Sequence, residues 1–516
     1  MDYPNERNVH LMPMPKSGGI AMASGMLVPI LLWAPVNHEV GAILIGAWIV
    51  VLFGLVDDFK NLGYKAKFAG QGAAALIVIL YGGIKIKSFG MLLPNDVLLP
   101  DWFAIPLTLI VIVGVTNAIN LSDGLDGLAG GICFLSFCCI GYLAYQGENI
   151  AIALLSVSVA GAILGFLRFN TYPATLFMGD AGSQLLGFSA IILLLGLTQG
   201  NTPLSPLLPL ILLGFPVLDT LTVMYERTAE GRSPFVADKN HFHHKLIRLG
   251  FYHTEAVFVI YILQAFLVTS AFFFRFYSEW FLLIGYLIFS SVILFGFSIA
   301  DKSDWKLKRY GLFDKVIKGR LKNLKGKNIH IKIFFKITYM GFPALLLFSC
   351  FLPESTPKYF SFFAIALVSM ILVTWLAKKE WIASALRLII YIFVPFVIYL
   401  SEANMTPWMN GQPGQVYNLS FGVLVIFAIL TAKFSRRTMG FKITPMDFLI
   451  LFIALVVPNL PHEQIQTYHM GLVAAKIITL FFSCEVLITE LRGDLNTLGI
   501  GTIAALGVIG VRGLIV

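Results

Sequence analysis

The sequence predicts an all-α fold, a polytopic integral membrane helical bundle of about 17 transmembrane helices. Three observations predict it. Hydrophobic residues fill 58% of the 516 positions and charged residues only 13%, against roughly 25% charged in soluble domains. Apolar stretches of about 17–25 residues recur along the chain, the length that crosses a hydrocarbon core of roughly 30 Å. Lys and Arg collect in short loops between those stretches, following the positive-inside rule. A soluble globule of this size could not hide so much apolar surface, 44 Phe among it, whereas a bilayer can. The net charge of +9 is accordingly read as membrane topology and not as a nucleic-acid surface. The five Cys lie in or beside apolar runs, with neither metal-ligand nor disulfide spacing, and read as packing residues. The opening stretch 1–17 is polar and does not read as a cleavable signal peptide.

Taken in order, spans are expected near 18–35, 40–55, 68–84, 104–119, 127–145, 149–166, 184–199, 205–224, 255–274 and 280–299, which together make a first domain over 1–300. A basic linker, 301–332, carries Lys302, Lys306, Lys308, Arg309, Lys315, Lys318, Arg320, Lys322, Lys325 and Lys327. An additional membrane domain, 333–516, follows with spans near 333–352, 359–377, 382–400, 417–432, 446–458, 470–488 and 497–515. Placing the N-terminus in the cytoplasm puts Lys60, Lys65, Lys67, Arg168, Arg227, Arg232, Lys245, Arg248 and the linker there too. The opposite loops, 146–149 and 200–203, are free of Lys and Arg; Lys85 and Lys87 are the main exception.

Ionisable groups at membrane depth are costly and functional by default. Asp57 and Asp58 end one apolar run. Asn117, Asn120, Asp123 and Asp126 stand between two spans, in Asn-Ala-Ile-Asn-Leu-Ser-Asp-Gly-Leu-Asp-Gly. Asp180 lies in Phe-Met-Gly-Asp-Ala-Gly-Ser. All three groups map to one predicted membrane face, where carboxylates from separate loops would hold a hard divalent cation such as Mg²⁺. The bland alternative is that they are helix caps and turn residues. A cap, however, needs one Asp and not Asp123 and Asp126 together with two upstream Asn. The adjoining glycines allow tight turns, and fresh helix N-termini offer N–H groups to phosphate oxygens. On the same face, a loop carries Arg232, Lys239, His241-Phe242-His243-His244 and Lys245. That set suits phosphate or substrate contact; zinc binding and a merely solvated polar loop are the alternatives. Acids, a divalent cation and a cationic loop at one face describe a phosphoryl-transfer site.

These residues resemble the polyprenyl-phosphate N-acetylhexosamine-1-phosphate transferases. The resemblance covers roughly 1–300. It rests on an ordered series: Pro4-Asn5-Glu6-Arg7 with His10 and Pro15-Lys16-Ser17-Gly18-Gly19, then Asp57-Asp58 with Lys67 and Gln71, the segment 117–131, the segment 177–183, and the histidine loop. It implies that Asp57 and Asp58 bind or deprotonate a polyprenyl phosphate, with Asp57 the better base. It implies that Asp180, with Asn120, ligates Mg²⁺ (Mn²⁺ as the alternative ion) on the pyrophosphate of a UDP-N-acetylhexosamine. Asn117, Asn120, Asp123 and Asp126 would line the nucleotide pocket, with Phe177 near the uracil; Lys67, His241 and Arg232 would contact substrate, and His243 and His244 would position phosphates. The reaction implied is one-step displacement of UMP, leaving a polyprenyl-diphospho-sugar that begins a cell-surface polysaccharide.

His-Phe-His-His followed by Lys-Leu resembles the GlcNAc branch of the family. The implied location is the inner (plasma) membrane with the site facing the cytoplasm. The implied partners are the bilayer, the two substrates and no nucleic acid, with a homodimer or polysaccharide-assembly partners left open. Members of the family carry a transmembrane helix ahead of the Pro-Asn-x-Arg segment, whereas this sequence opens almost on it. The second domain offers only scattered ionisable residues, Glu402, Asp447, His462, Glu463, His469 and Glu485, read as loop, interfacial or helix-packing groups. A transporter or flippase of lipid-linked sugars is the rival reading. Transporters tend to show two related halves with binding at the midplane, and the acidic motifs here occur once.

Overall fold

The computed structural model describes residues 13–35, 37–60, 62–94, 97–200, 202–233, 240–303, 328–377, 381–409, 411–434, 470–491 and 495–515. The Pro4–Arg7 motif with His10, most of the basic linker, Lys239, the expected span 446–458, Asp447, His462, Glu463 and His469 lie outside them.

Among the described residues the regular structure is helical. Thirteen helices among the described residues are long and apolar enough to cross a membrane. The chain is a multi-pass membrane protein and divides into two compact units.

The first unit comprises α1 (Gly18–Trp33), α2 (His38–Lys60), α3 (Tyr64–Leu80), α4 (Asp101–Ser122), α5 (Leu128–Gln146), α6 (Ile150–Asn170), α7 (Gly179–Thr198), α8 (Leu208–Leu212), α9 (Gly214–Ala229), α10 (Phe242–Arg248), α11 (His253–Phe273) and α12 (Glu279–Lys302). Its axis is α7, which packs against α1, α2, α4, α5, α6 and α8 and buries nearly its whole length. A helix apolar all round is made for such a position. Small residues set the closeness of its neighbours, as in other membrane bundles. A Cβ on Gly54 of α2 would lie 2.5 Å from Ala181 Cα, and one on Gly19 of α1 would lie 2.4 Å from the Gly182 nitrogen. Gly54 stands one turn before Asp57 and Asp58, so the close crossing of α2 over α7 brings those acids to the α7 N-terminus.

The span expected at 205–224 is corrected by the structure: it is broken at Leu213 into the five-residue α8 and the longer α9. Pro216 has no N–H to donate to the carbonyl of Leu212, four residues back. In its place Gln264 Nε2 (2.7 Å) and Ser136 Oγ (2.9 Å) donate to that oxygen, and Tyr286 donates to the Gly214 carbonyl at 2.9 Å. Breaks of this kind persist at membrane depth only where neighbouring side chains restore the lost bonds.

The second unit comprises α13 (Asn328–Phe351), α14 (Lys358–Ala377), α15 (Ile382–Ala403), α16 (Gln412–Phe434), α17 (Met470–Leu491) and α18 (Asn496–Ile515), around an apolar core that includes Phe342, Phe393, Leu480 and Leu506. Glu402 and Glu485 are helix-packing groups. Lys476 of α17 pairs with Glu402 of α15, and Arg387 of α15 pairs with Glu485 of α17 at 2.6 Å.

Gly54→Ala drives a methyl group into the α7 backbone. We expect a loss of about 1–3 kcal/mol, read as a lower unfolding temperature in detergent, and a parallel loss of activity because the acids shift with α2.

Candidate active site

The N-terminus of α7 is where the sequence motifs meet. Gly179 opens the helix with φ +67°. Asp58, at the end of α2, accepts hydrogen bonds from the backbone N–H groups of Asp180 (3.0 Å) and Ala181 (3.2 Å). It thus caps a helix other than its own, an anion at the positive end of the macrodipole. Gly179 is the residue that allows the approach, since a Cβ there would meet Asp58 Oδ2 at 2.4 Å. Asp58 also has Lys16 Nζ at 3.9 Å.

One residue earlier, Asp57 is buried, 2% exposed. It accepts from the Leu62 N–H at 2.6 Å and pairs with Lys67 Nζ at 2.5 Å. The same ammonium reaches Asp180 Oδ2 at 3.5 Å, so Lys67 links two carboxylates that face each other within hydrogen-bonding reach. Asn120, near the end of α4, bonds Asp180 and accepts from Ser183 Oγ at 2.8 Å. Asn117, one turn back on α4, is half-buried.

Asp123 follows the end of α4. Desolvation by burial, followed by the negative charges of Asp180, Asp126 and Asp58, pushes its carboxyl up to about 7. Like charges crowded into one place disfavour ionisation until something cationic joins them. Asp126 has a bracing part: its Oδ2 accepts from the Ala174 N–H at 2.9 Å, and its own N–H donates to His253 Nε2 at 3.3 Å. Phe177 lies on the strap leading into α7, where its N–H donates to the Pro15 carbonyl at 2.9 Å and its carbonyl accepts from the Gly18 N–H at 3.0 Å.

The histidine loop arrives from the other side of the site. His243 is buried, and its Nε2 has no hydrogen-bond partner. A Cβ on Gly124 would lie 2.3 Å from that nitrogen, which places the ring against the turn carrying Asp123. Burial, reinforced by His244, His241 and His253, holds its pKa well below the ordinary histidine value. His243 is therefore a neutral imidazole and offers hydrogen bonds, not charge. His244 packs on it with ring centroids 4.2 Å apart, and His241 stacks on it at 5.7 Å. Arg232 is exposed just after α9 and pairs with Glu230.

Two residues that the sequence reading passed over hold this arrangement. Asp219 of α9 accepts from the Phe242 N–H at 2.7 Å and pairs with His241 Nδ1 at 2.9 Å, both side chains being buried. Its signal was present: it is an ionisable residue inside an apolar run expected to span the membrane. Asn170 accepts from the Gly127 N–H at 2.9 Å and donates to the Leu176 carbonyl at 2.8 Å, tying the α4–α5 turn to the strap before α7. A lone Asn at a helix end gives no comparable signal.

The donors that remain, carboxylate and amide oxygens from Asp180, Asn120 and Asp123, are hard. Among the described residues no three His, Cys, Asp or Glu side chains form a ready cage for a metal ion. That set suits Mg²⁺, which keeps several waters and takes one or two carboxylates plus substrate phosphates. It does not suit zinc, which prefers a closed tetrahedral site with N or S ligands.

Comparison with known proteins gives the family. Residues 40–198 match the model of glycosyl transferase family 4. The chain is 32% identical over 335 residues to the undecaprenyl-phosphate alpha-N-acetylglucosaminyl 1-phosphate transferase of Escherichia coli (strain K12), covering 63% of this chain and 89% of that protein. This chain belongs to glycosyl transferase family 4. Two further members are similar to it. One, of Bacillus subtilis (strain 168), is named "Probable undecaprenyl-phosphate N-acetylglucosaminyl 1-phosphate transferase" and is 36% identical over 324 residues, 62% of this chain and 89% of the relative. The other is the decaprenyl-phosphate N-acetylglucosaminephosphotransferase of Mycolicibacterium smegmatis, 36% identical over 295 residues, 50% of this chain and 71% of the relative. As a member of this family the chain is an enzyme, and its acid cluster falls inside the matched segment.

Asp219→Asn removes the charge that fixes His241 while keeping an acceptor for Phe242. Small misplacements in such sites cost up to about 10²-fold in rate. We expect a loss of that order in turnover with the unfolding temperature unchanged.

Proposed function

We propose that this enzyme transfers N-acetylglucosamine-1-phosphate from UDP-N-acetylglucosamine to a polyprenyl phosphate, releasing UMP and beginning a cell-surface polysaccharide. The observation that carries the proposal is the meeting of Asp57, Lys67, Asn120, Asp123 and Asp180 at the N-terminus of α7, in a chain whose relatives are named for the same transfer. A transporter reading finds no counterpart among those relatives.

Asp180 and Asn120, with Asp123 beside them, would hold Mg²⁺ against the donor pyrophosphate. The ion, when bound, would offset charge on the phosphate oxygens. The neutral His243 would hydrogen-bond those oxygens, and Phe177 would lie near the uracil. Asp57 would accept the remaining proton of a monoanionic lipid phosphate, and Lys67 would orient the phosphate for attack. A lipid phosphate oxygen would then displace UMP at the sugar-linked phosphorus. Catalysis of this kind is chiefly positioning and charge neutralisation. The Lys- and Arg-rich loops support a site facing the cytoplasm from the plasma membrane.

The test is direct. Purified protein with undecaprenyl phosphate, Mg²⁺ and a panel of labelled UDP-sugars should release UMP fastest from UDP-N-acetylglucosamine. Asp180→Asn should abolish release without altering the unfolding temperature. If that variant stays active, or if no UDP-sugar is consumed, the proposal fails.

The elevated Asp123 carboxyl adds a pH signature. At limiting Mg²⁺, kcat/KM should rise as pH passes through about 7, where Asp123 loses its proton and can bear on the cation. Raising Mg²⁺ should move that limb to lower pH, because a cation favours the charged form. Asp123→Asn should remove it.

A further inference from the structure

The donor side of the site hangs on a short turn. Residues 123–127 join α4 to α5 and carry Asp123 and Asp126, with Gly127 closing the turn at φ +80°. Carboxylates gathered this closely repel one another, so the turn needs a hold from outside α4 and α5.

Two contacts come from the strap between α6 and α7: Asn170 accepts the Gly127 N–H, and the Ala174 N–H donates to Asp126. Two more come from α11, which packs on α5. Tyr261 is completely buried, and its hydroxyl donates to the Gly127 carbonyl at 2.6 Å. Gly131, one turn into α5, makes room for it, since a Cβ there would collide with the tyrosine ring and hydroxyl. The N–H and the carbonyl of Gly127 are thus both taken, by different elements. About two turns earlier on α11, His253 Nε2 accepts the Asp126 N–H at 3.3 Å. Tyr172 of the strap stacks on that imidazole, with ring centroids 4.6 Å apart, and fixes its plane.

The histidine makes its bond at a disadvantage. An imidazole that accepts at Nε2 carries its proton on Nδ1, and that nitrogen is enclosed with no hydrogen-bond partner among the described residues. An enclosed donor left unpaired is destabilising. A leucine would fill the same space without that penalty, but it could not accept the Asp126 N–H.

We propose that α11 sets the position of Asp123: His253 and Tyr261 are positioning residues that pin the 123–127 turn against the strap before substrate arrives. The inference rests on the transfer reaction proposed above and adds two residues to it that take no part in the chemistry. A turn ordered in advance lowers the cost of ordering on binding. Its loss therefore falls on the UDP-sugar, and not on the lipid phosphate that Asp57 and Lys67 receive.

The experiment varies the two substrates in turn in the UMP-release assay. His253→Leu removes the acceptor and Tyr261→Phe removes the hydroxyl, while His253→Gln offers an amide oxygen near the place of Nε2. The expected result for His253→Leu and Tyr261→Phe is a KM for UDP-N-acetylglucosamine raised about tenfold, with KM for polyprenyl phosphate unchanged. His253→Gln should stay near wild type. Hydrogen–deuterium exchange without substrate gives a second readout: the peptide carrying the Asp126 and Gly127 amides should exchange faster in the two impaired variants, and the α7 peptide at the wild-type rate. An unchanged donor KM, an equal loss toward both substrates, or a His253→Gln enzyme as impaired as His253→Leu overturns the proposal. Should neither impaired variant fold, the wild-type protein decides. Slow exchange of the Asp126 and Gly127 amides before donor is added supports the clamp; exchange that slows only with UDP-N-acetylglucosamine present overturns it. Failure of the transfer reaction itself would appear separately, as wild-type protein that releases no UMP from any UDP-sugar.

Discussion

The site depends on one contact: the carboxylate of Asp58 accepting the N–H groups of Asp180 and Ala181. It joins the end of α2 to the start of α7, and α7 is the helix around which the first unit packs. In water such a bond is worth about 1 kcal/mol, more when the acceptor is charged. It also satisfies backbone donors at a helix end that would otherwise be left unpaired. Gly54 and Gly179 exist in service of it. The first lets the helices close, and the second lets the carboxylate reach the backbone.

Once that contact is made, the remaining chemistry follows from crowding. Asp57 is carried in with Asp58 and needs a partner, which Lys67 supplies. The same ammonium reaches Asp180, so a single cation neutralises part of an excess of carboxylates. Asp123 lies among three other carboxylates, and burial first, then their charge, pushes its carboxyl up to about 7 against the weaker pull of Lys16. A protein that concentrates carboxylates beside a helix N-terminus in this way is suited to a ligand that brings a cation with it. The histidine loop complements this arrangement without adding charge, because burial keeps His243 neutral.

Much of this was legible in the sequence. The apolar runs were long enough to mark the spans, and the Asp57, Asp123 and Asp180 motifs each fell at a span boundary on one predicted face. What the sequence could not convey was the division of labour among identical side chains. Asp57 and Asp58 are neighbours of one type, yet helix geometry turns one toward Lys67 and the other onto the α7 backbone. Asp126 spends an oxygen on the Ala174 N–H, a contact set by loops 48 positions apart. The break at Leu213 was hidden because its apolar composition reads as one continuous span. Pro216 was the clue, but the compensating donors, Ser136 and Gln264, come from other helices. Asp219 was legible in principle, as a charge inside that same run, but it stands alone there and belongs to no motif.

The most direct measurement is an anomalous difference map from crystals of the protein grown with Mn²⁺ and UDP-N-acetylglucosamine. The account predicts one Mn²⁺ peak at the N-terminus of α7, bonded to Asp180 and to pyrophosphate oxygens, with Asn120 and Asp123 facing it. A peak held by the histidine loop alone, or one remote from α7 with the donor bound, would contradict it.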